Sequence, residues 1–282
     1  MLLEHNAQVN ARIRRSGLTP LHIALRTGHF GVARSLLDHG ANADVRDNSG
    51  NSPLYSAAAN WNLDLIRILL EHKAEVNTRN DEGSAPFHIA SDAGYLEIVH
   101  LLLDHAADAH VRDNSGKTPL HLAAAGGHLK VSRLLLKLKA EINARDGKRR
   151  TPLHYASRDR TSDVVRLPLE HGAHAHARDD TGNTLLHFPT INGNLEVFRM
   201  LLERKVEVNA RNDEGRVNHA ITRSINKKAP SRFAVTARSW CGCECLRPER
   251  KDYIGCGLVR AMAADSRIAV QAGRGLTVSA DL

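Results

Sequence analysis

The stretch Thr118-Pro119-Leu120-His121-Leu122-Ala123 decides the fold, because it returns along the chain at a fixed step of 33 residues. Upstream it reads Ala85-Pro86-Phe87-His88-Ile89-Ala90, Ser52-Pro53-Leu54-Tyr55-Ser56-Ala57 and Thr19-Pro20-Leu21-His22-Ile23-Ala24. Downstream it reads Thr151-Pro152-Leu153-His154-Tyr155-Ala156 and the worn Thr184-Leu185-Leu186-His187-Phe188-Pro189. Other marks keep the same phase. Glycine recurs at 17, 50, 83, 116, 182 and 215, and an arginine closes each unit at 46, 79, 112, 145, 178 and 211. A leucine-rich run recurs as RSLLDHG, RILLEHK, HLLLDHA, RLLLKLK, RLPLEHG and RMLLERK. Self-similarity at one period over so many turns means a repeat architecture.

Each unit reads as a pair of helices. Threonine is a preferred N-cap whose hydroxyl takes an orphan amide of the first turn. The proline after it suits the first helical position, where its missing N–H is no loss. Stretches such as Gly94-Tyr95-Leu96-Glu97 and Gly127-His128-Leu129-Lys130 then turn the chain into a second helix. Asp-Asn-Ser-Gly at 47–50 and 113–116 is turn chemistry, with glycine supplying a positive φ. One such pair cannot bury its apolar face alone, so neighbours must stack.

The pattern resembles the ankyrin repeat, T-P-L-H-x-A followed by a leucine-rich second helix, from residue 1 to about 221. That resemblance implies an all-α fold, an α-solenoid of helix-turn-helix units joined by β-hairpin-like loops. The repeats run 14–46, 47–79, 80–112, 113–145, 146–178 and 179–211, within an array over 1–228 that opens on a partial repeat and fades in a half-repeat. Residues 229–282 leave the register and read as a non-repeat, disordered tail. The resemblance also implies a non-catalytic scaffold or adaptor that binds a partner protein. Two other readings stand beside it: the recognition array of a larger ankyrin-containing enzyme, and a nucleic-acid-associated regulator.

Composition bears on these. Hydrophobic residues make up 42% of the 282 and aromatic ones only 4%, so leucine, alanine and valine must fill the core. The net charge is +8, of which the tail, with eight basic and five acidic residues, carries +3. That mild excess and the lack of stacking aromatics weigh against nucleic acid. No stretch has the ~18 consecutive apolar residues of a membrane span. All four cysteines lie in the tail, which points to a reducing, intracellular setting, cytoplasmic or nuclear.

Seventeen histidines suggest a metal, and the register dissolves most of that suggestion. His22, His88, His121, His154 and His187 share one repeat position, while His5, His39, His72, His105 and His171 share another. In ankyrin-like repeats the first set is structural, its ring tying neighbouring hairpins together. His174 and His176, with His110 of an earlier repeat, form at best a weak trio. Cys241, Cys243, Cys245 and Cys256 are spaced too tightly for an ordinary zinc site. Their segment reads instead as a disordered tail or as the product of a shifted reading frame. No phosphate loop, nucleophile elbow or metalloprotease helix is present, so neither a catalytic residue nor a cofactor is expected.

Partners of ankyrin-like folds contact hairpin tips and the exposed side of the first helix. In this register those positions are Asn48, Ser49, Asn51, Asp81, Glu82, Ser84, Asp92, Ser115, Lys117, Lys148, Arg150 and Arg158. The third repeat is acidic there, through Asp81, Glu82 and Asp92. The fifth is basic: Lys148, Arg149 and Arg150 replace the usual glycine turn, and Arg158 and Arg160 follow. Convergence of these cations predicts contact with an acidic segment of the partner. The arginine row from 46 to 211 resembles a polyanion track, but Asp or Asn follows each arginine and should pair with it.

Some positions depart from the pattern. Pro168 replaces a leucine inside a second helix and Pro189 an alanine inside a first one. Interior proline costs ~3 kcal/mol or more, so the fifth and sixth repeats should be the loosest. The helix-ending glycine kept at Gly40 and Gly172 becomes Lys73, Ala106, Lys139 and Lys205 elsewhere. Met1 to His5 matches the end of a second helix, as in a piece of a longer protein.

Overall fold

A computed structural model of the chain describes residues 8–158, 162–188 and 194–216. His5, Arg160, Pro189, the cysteines and the 229–282 tail lie outside the described residues. The chain divides into two bodies, Met1–Ala156 and Ser157–Leu282.

Among the described residues the elements are helices, without a strand. The first body holds α1 (Pro20–Arg26), α2 (Phe30–Asp38), α3 (Pro53–Ala59), α4 (Leu63–Glu71), α5 (Pro86–Ala93), α6 (Leu96–Asp104), α7 (Pro119–Ala125), α8 (Leu129–Lys137) and α9 (Pro152–Ala156). The second holds α10 (Ser162–Glu170) and α11 (Leu195–Glu203). Proline opens every short first helix from α1 to α9, so the recurring hexapeptide sets where each begins.

In the first body the short helices α1, α3, α5, α7 and α9 pack successively into one row. The longer α2, α4, α6 and α8 form a second row behind them. Leu21, Leu54, Phe87, Leu120 and Leu153 occupy the same repeat position, and none is more than 1% exposed. They form a continuous seam because each repeat covers the apolar face of the one before it.

Where a short helix carries the histidine, its start is built around that ring rather than by the threonine alone; in α3, where Tyr55 stands instead, Ser52 Oγ accepts the Tyr55 amide at 3.2 Å. At Thr19 the backbone N–H and the hydroxyl both turn to Nδ1 of His22, at 3.3 and 3.0 Å. Thr118 and His121 pair the same way, as do Thr151 and His154. This explains how Ala85 can stand in the threonine position. His88 Nδ1 still accepts its backbone N–H at 3.1 Å.

Four second helices end on a left-handed residue where glycine would ordinarily stand. Lys73, Ala106, Lys139 and Lys205 take φ of 59°, 65°, 61° and 57°. The cap geometry is kept and a side chain is carried through it. Helix α10 also continues through Pro168, whose carbonyl accepts from His171 and Ala173. The second body contains one isolated antiparallel bridge, Arg178 to Thr184.

Candidate functional site

From the second repeat onward Asp or Asn organises the hairpin tips, and it does so through its own turn. One oxygen of Asp47 accepts the backbone N–H groups of Ser49 and Asn51, at 2.8 and 2.9 Å. Asn80 does the same for Glu82 and Ser84, Asp146 for Lys148 and Arg150, and Asp179 for Thr181 and Asn183. Burial works against the Asp47 carboxylate, but these donors outweigh it and hold its pKa below the usual range. The same balance lowers Asp179.

This corrects the expectation that each Asp or Asn pairs with the arginine before it. The guanidiniums reach forward instead. Arg46 donates to the carbonyl of Arg79, Arg79 to that of Arg112, Arg112 to that of Arg145, and Arg178 to that of Arg211. Their ionic partners are Glu141 for Arg112, at 2.9 Å, and Glu207 for Arg178, at 3.7 Å. These four guanidiniums, though exposed, therefore each spend at least one donor on linking one repeat to the next.

The fifth tip corrects a second expectation. Arg149 occupies the glycine position with φ 56°, yet the turn survives. Asp146 N donates to Arg150 O at 3.0 Å, as Asp47 N does to Asn51 O. The tips are also joined edge to edge, through Asp81 N to Ser49 O, Asn114 N to Glu82 O and Gly147 N to Ser115 O.

Behind the tips stand the structural histidines. His22, His88 and His121 accept at Nδ1, so Nε2 carries the proton. It donates to the carbonyl of Asn51, Lys117 and Arg150 respectively, at 3.3, 3.2 and 3.0 Å. His187 does the same to Arg216 O. Of the other set, His39 and His171 use Nδ1 to hold the last carbonyls of their own helices. Among the described residues no three His, Cys, Asp or Glu side chains are grouped to hold a metal ion.

Five of the twelve candidate residues line one groove of about 430 Å³: Asn48, Ser49, Asn51, Asp81 and Glu82. Tyr55 and Asn80 complete it. Burial raises the pKa of the Tyr55 phenol; Ser84 and Asn80 hydrogen bonding opposes this, while the charges of Glu82 and Asp92 add to it. Ser84 and Asp92 therefore belong to the same neighbourhood.

A second group forms two repeats further on. Lys117 Nζ lies 5.9 Å from the centroid of the Tyr155 ring, and the Tyr155 hydroxyl donates to Asp146 Oδ2 at 2.6 Å. Burial and this carboxylate push the phenol pKa far up. Lys148 and Arg149 are exposed on the adjoining tip, with Arg150 half-buried beside them. Ser115 turns its hydroxyl to Asp113. Arg158 falls in the second body.

A family model described as ankyrin repeats, in 3 copies, matches residues 1–80, 73–146 and 139–212. The chain is an ankyrin-repeat protein. No curated protein matches it significantly. Ankyrin repeats are generally protein–protein interaction modules and typically non-catalytic. Among the described residues of this ankyrin array, no helix is long and apolar enough to cross a membrane.

The ankyrin register alone does not single out Tyr55, Asn80 or Tyr155 as site residues. For Tyr55 a signal exists in the sequence, since it is the one aromatic standing where other repeats carry histidine. Trp61 is a further surface feature outside that register, replacing a glycine found at 28, 94 and 127. Trp61 takes φ 59°, is 56% exposed and stacks on Tyr95 at 5.2 Å between centroids.

Proposed function

We propose that this ankyrin array is a non-catalytic scaffold that holds a partner protein along its hairpin tips, and that the basic tip of the fifth repeat takes an acidic segment of that partner. One observation carries the reading. Ser49, Glu82, Lys148, Thr181 and Glu214 occupy one repeat position and make the same backbone hydrogen bond to the Asp or Asn two residues earlier. Their side chains are exposed and differ in charge and size. The scaffold is thus indifferent to what each tip presents, which leaves that position open to selection for recognition.

At the fifth tip those side chains are cationic. Exposed charge of this kind raises association rate and specificity more than affinity, and salt screens it within ~8 Å at physiological ionic strength. The test is binding of a fluorescein-labelled tetraglutamate peptide to the full chain across a salt series. Lys148→Ala with Arg150→Ala should weaken binding and flatten its salt dependence. Asn51→Ala, Ser84→Ala and Ser115→Ala together should leave the salt slope unchanged. Equal affinity and slope for wild type and the cation pair would sink the acidic-segment reading.

A further inference from the structure

We infer that the Tyr55 groove and the basic tips form two ends of one binding track, which takes an extended partner segment carrying an arginine about six residues from an acidic run. The inference rests on the proposed function for its acidic end and adds a second, cation-accepting end.

The argument begins with what the groove has left to offer. Its amides are already committed. Asn48 donates to Arg15 O, Asn51 to Asp47 Oδ2, and Asn80 to Asn51 Oδ1, at 3.1, 3.1 and 3.0 Å. The Asn80 oxygen receives the amides of Glu82 and Ser84. What remains is the half-buried Tyr55 ring, its hydroxyl already hydrogen-bonded with Ser84 and Asn80, together with the Asp81 and Glu82 carboxylates. Neither carboxylate is ion-paired among the described residues, and both residues are exposed. An opening lined by a tyrosine ring and unpaired carboxylates selects a cation rich in donors. Guanidinium fits better than ammonium, because its planar fork can bind a carboxylate bidentately while stacking on an aromatic face. At about 430 Å³ the groove is small for a ligand site and suits one long side chain better than a folded element.

The other end supplies the opposite sign in the same body. Lys117, Lys148 and Arg149 present cations on the fourth and fifth tips, with no carboxylate ion-paired to them among the described residues. Packed helices lie ~8–10 Å apart, so the roughly two repeats between groove and cations span ~20 Å. An extended chain advances ~3.3 Å per residue, which sets the spacing at about six residues. Each end repels the charge that the other attracts, so the pair also discriminates against segments of uniform sign.

The test uses the full chain and three labelled peptides followed by fluorescence anisotropy. The first carries one arginine, about six Gly/Ser residues and a run of glutamates. The second has glycine for the arginine, and the third shortens the spacer to about two residues. The first should bind at least about fivefold tighter than the other two. Asp81→Asn with Glu82→Gln should abolish that gain and leave the glycine peptide unaffected. Equal binding of the first two peptides, or a gain that survives the groove variant, overturns the track while leaving the acidic-segment reading intact. Binding of the arginine peptide alone, dependent on Asp81 and Glu82, upholds the groove and removes that reading. Binding of neither overturns both.

Discussion

The guanidinium of Arg79 donates to the backbone carbonyl of Arg112 at 2.7 Å, and its Nε to the carbonyl of Gly83 at 2.9 Å. One side chain thus closes its own hairpin tip and ties it to the next. Hydrogen bonds from charged donors contribute ~1.5–3 kcal/mol when sheltered, and exposure at this site reduces that toward ~1 kcal/mol. Arg79→Ala should lower the melting temperature by about 2–4 °C. Arg79→Lys should recover little of it, since one ammonium cannot span both carbonyls. Full rescue by lysine would mean that charge rather than this geometry is what matters.

Acid should weaken the array before its carboxylates titrate. Burial holds the pKa of His22, His88 and His121 below the ordinary value of 6.5, although the carbonyl each ring donates to pulls upward. The unfolded chain therefore takes up protons near pH 6.5 that the folded rings refuse. Their contribution to stability is fully present above that pH and is lost as pH falls toward the lowered folded values. Protonation also removes Nδ1 as an acceptor for the Thr19, Ala85 and Thr118 amides. The urea midpoint should drop between about pH 7.5 and pH 5.5. A flat profile over that window would contradict it.

The left-handed caps at Lys73 and Lys139 give a stabilising variant. Both residues are exposed and hold φ of 59° and 61°. The left-handed region costs a residue with a Cβ roughly 1–2 kcal/mol, and glycine escapes that at the expense of a floppier unfolded chain. Lys73→Gly and Lys139→Gly should each raise stability, by up to ~1 kcal/mol. Circular-dichroism melts that show a loss for either variant would count against strain at these caps.

Pro168 is the second such site. It is buried inside α10, at the position held by Leu36, Leu69, Leu102, Leu135 and Leu201 in the other repeats, and it cannot donate to the carbonyl one turn back. Pro168→Leu restores that bond and should stabilise the second body by as much as ~3 kcal/mol. Hydrogen exchange of the α10 amides should slow accordingly. Unchanged exchange would mean that the surrounding packing already absorbs the proline.

The hidden half of the molecule was legible residue by residue. Pro20 to Pro152 announced the helix starts, Leu21 to Leu153 announced the seam, and the shared register of His22, His88 and His121 marked them as structural. The polar surface was harder. Arg79 and Asn80 are adjacent in sequence, yet the Asn80 oxygen is taken by its own turn and the Arg79 guanidinium reaches a carbonyl 33 residues on. Tyr55 and Glu82 meet at one groove only because consecutive tips are stapled together by Ser49 O and Asp81 N.

The ankyrin architecture needed nothing beyond the residue order, because every element of a repeat is specified by residues within that repeat. A capped proline start, an apolar stripe and a turn-forming Asp or Asn are local instructions, and stacking follows from a face that no single repeat can bury. Which polar groups are spent and which are free emerged only in the folded array. The ring of His22, the guanidinium of Arg79 and the amide of Asn80 each find a partner 29 or 33 residues away, in an adjacent repeat. Satisfaction of a donor or acceptor is a property of that neighbour, and so the Asp81 and Glu82 carboxylates could be recognised as unpaired only once the repeats were stacked.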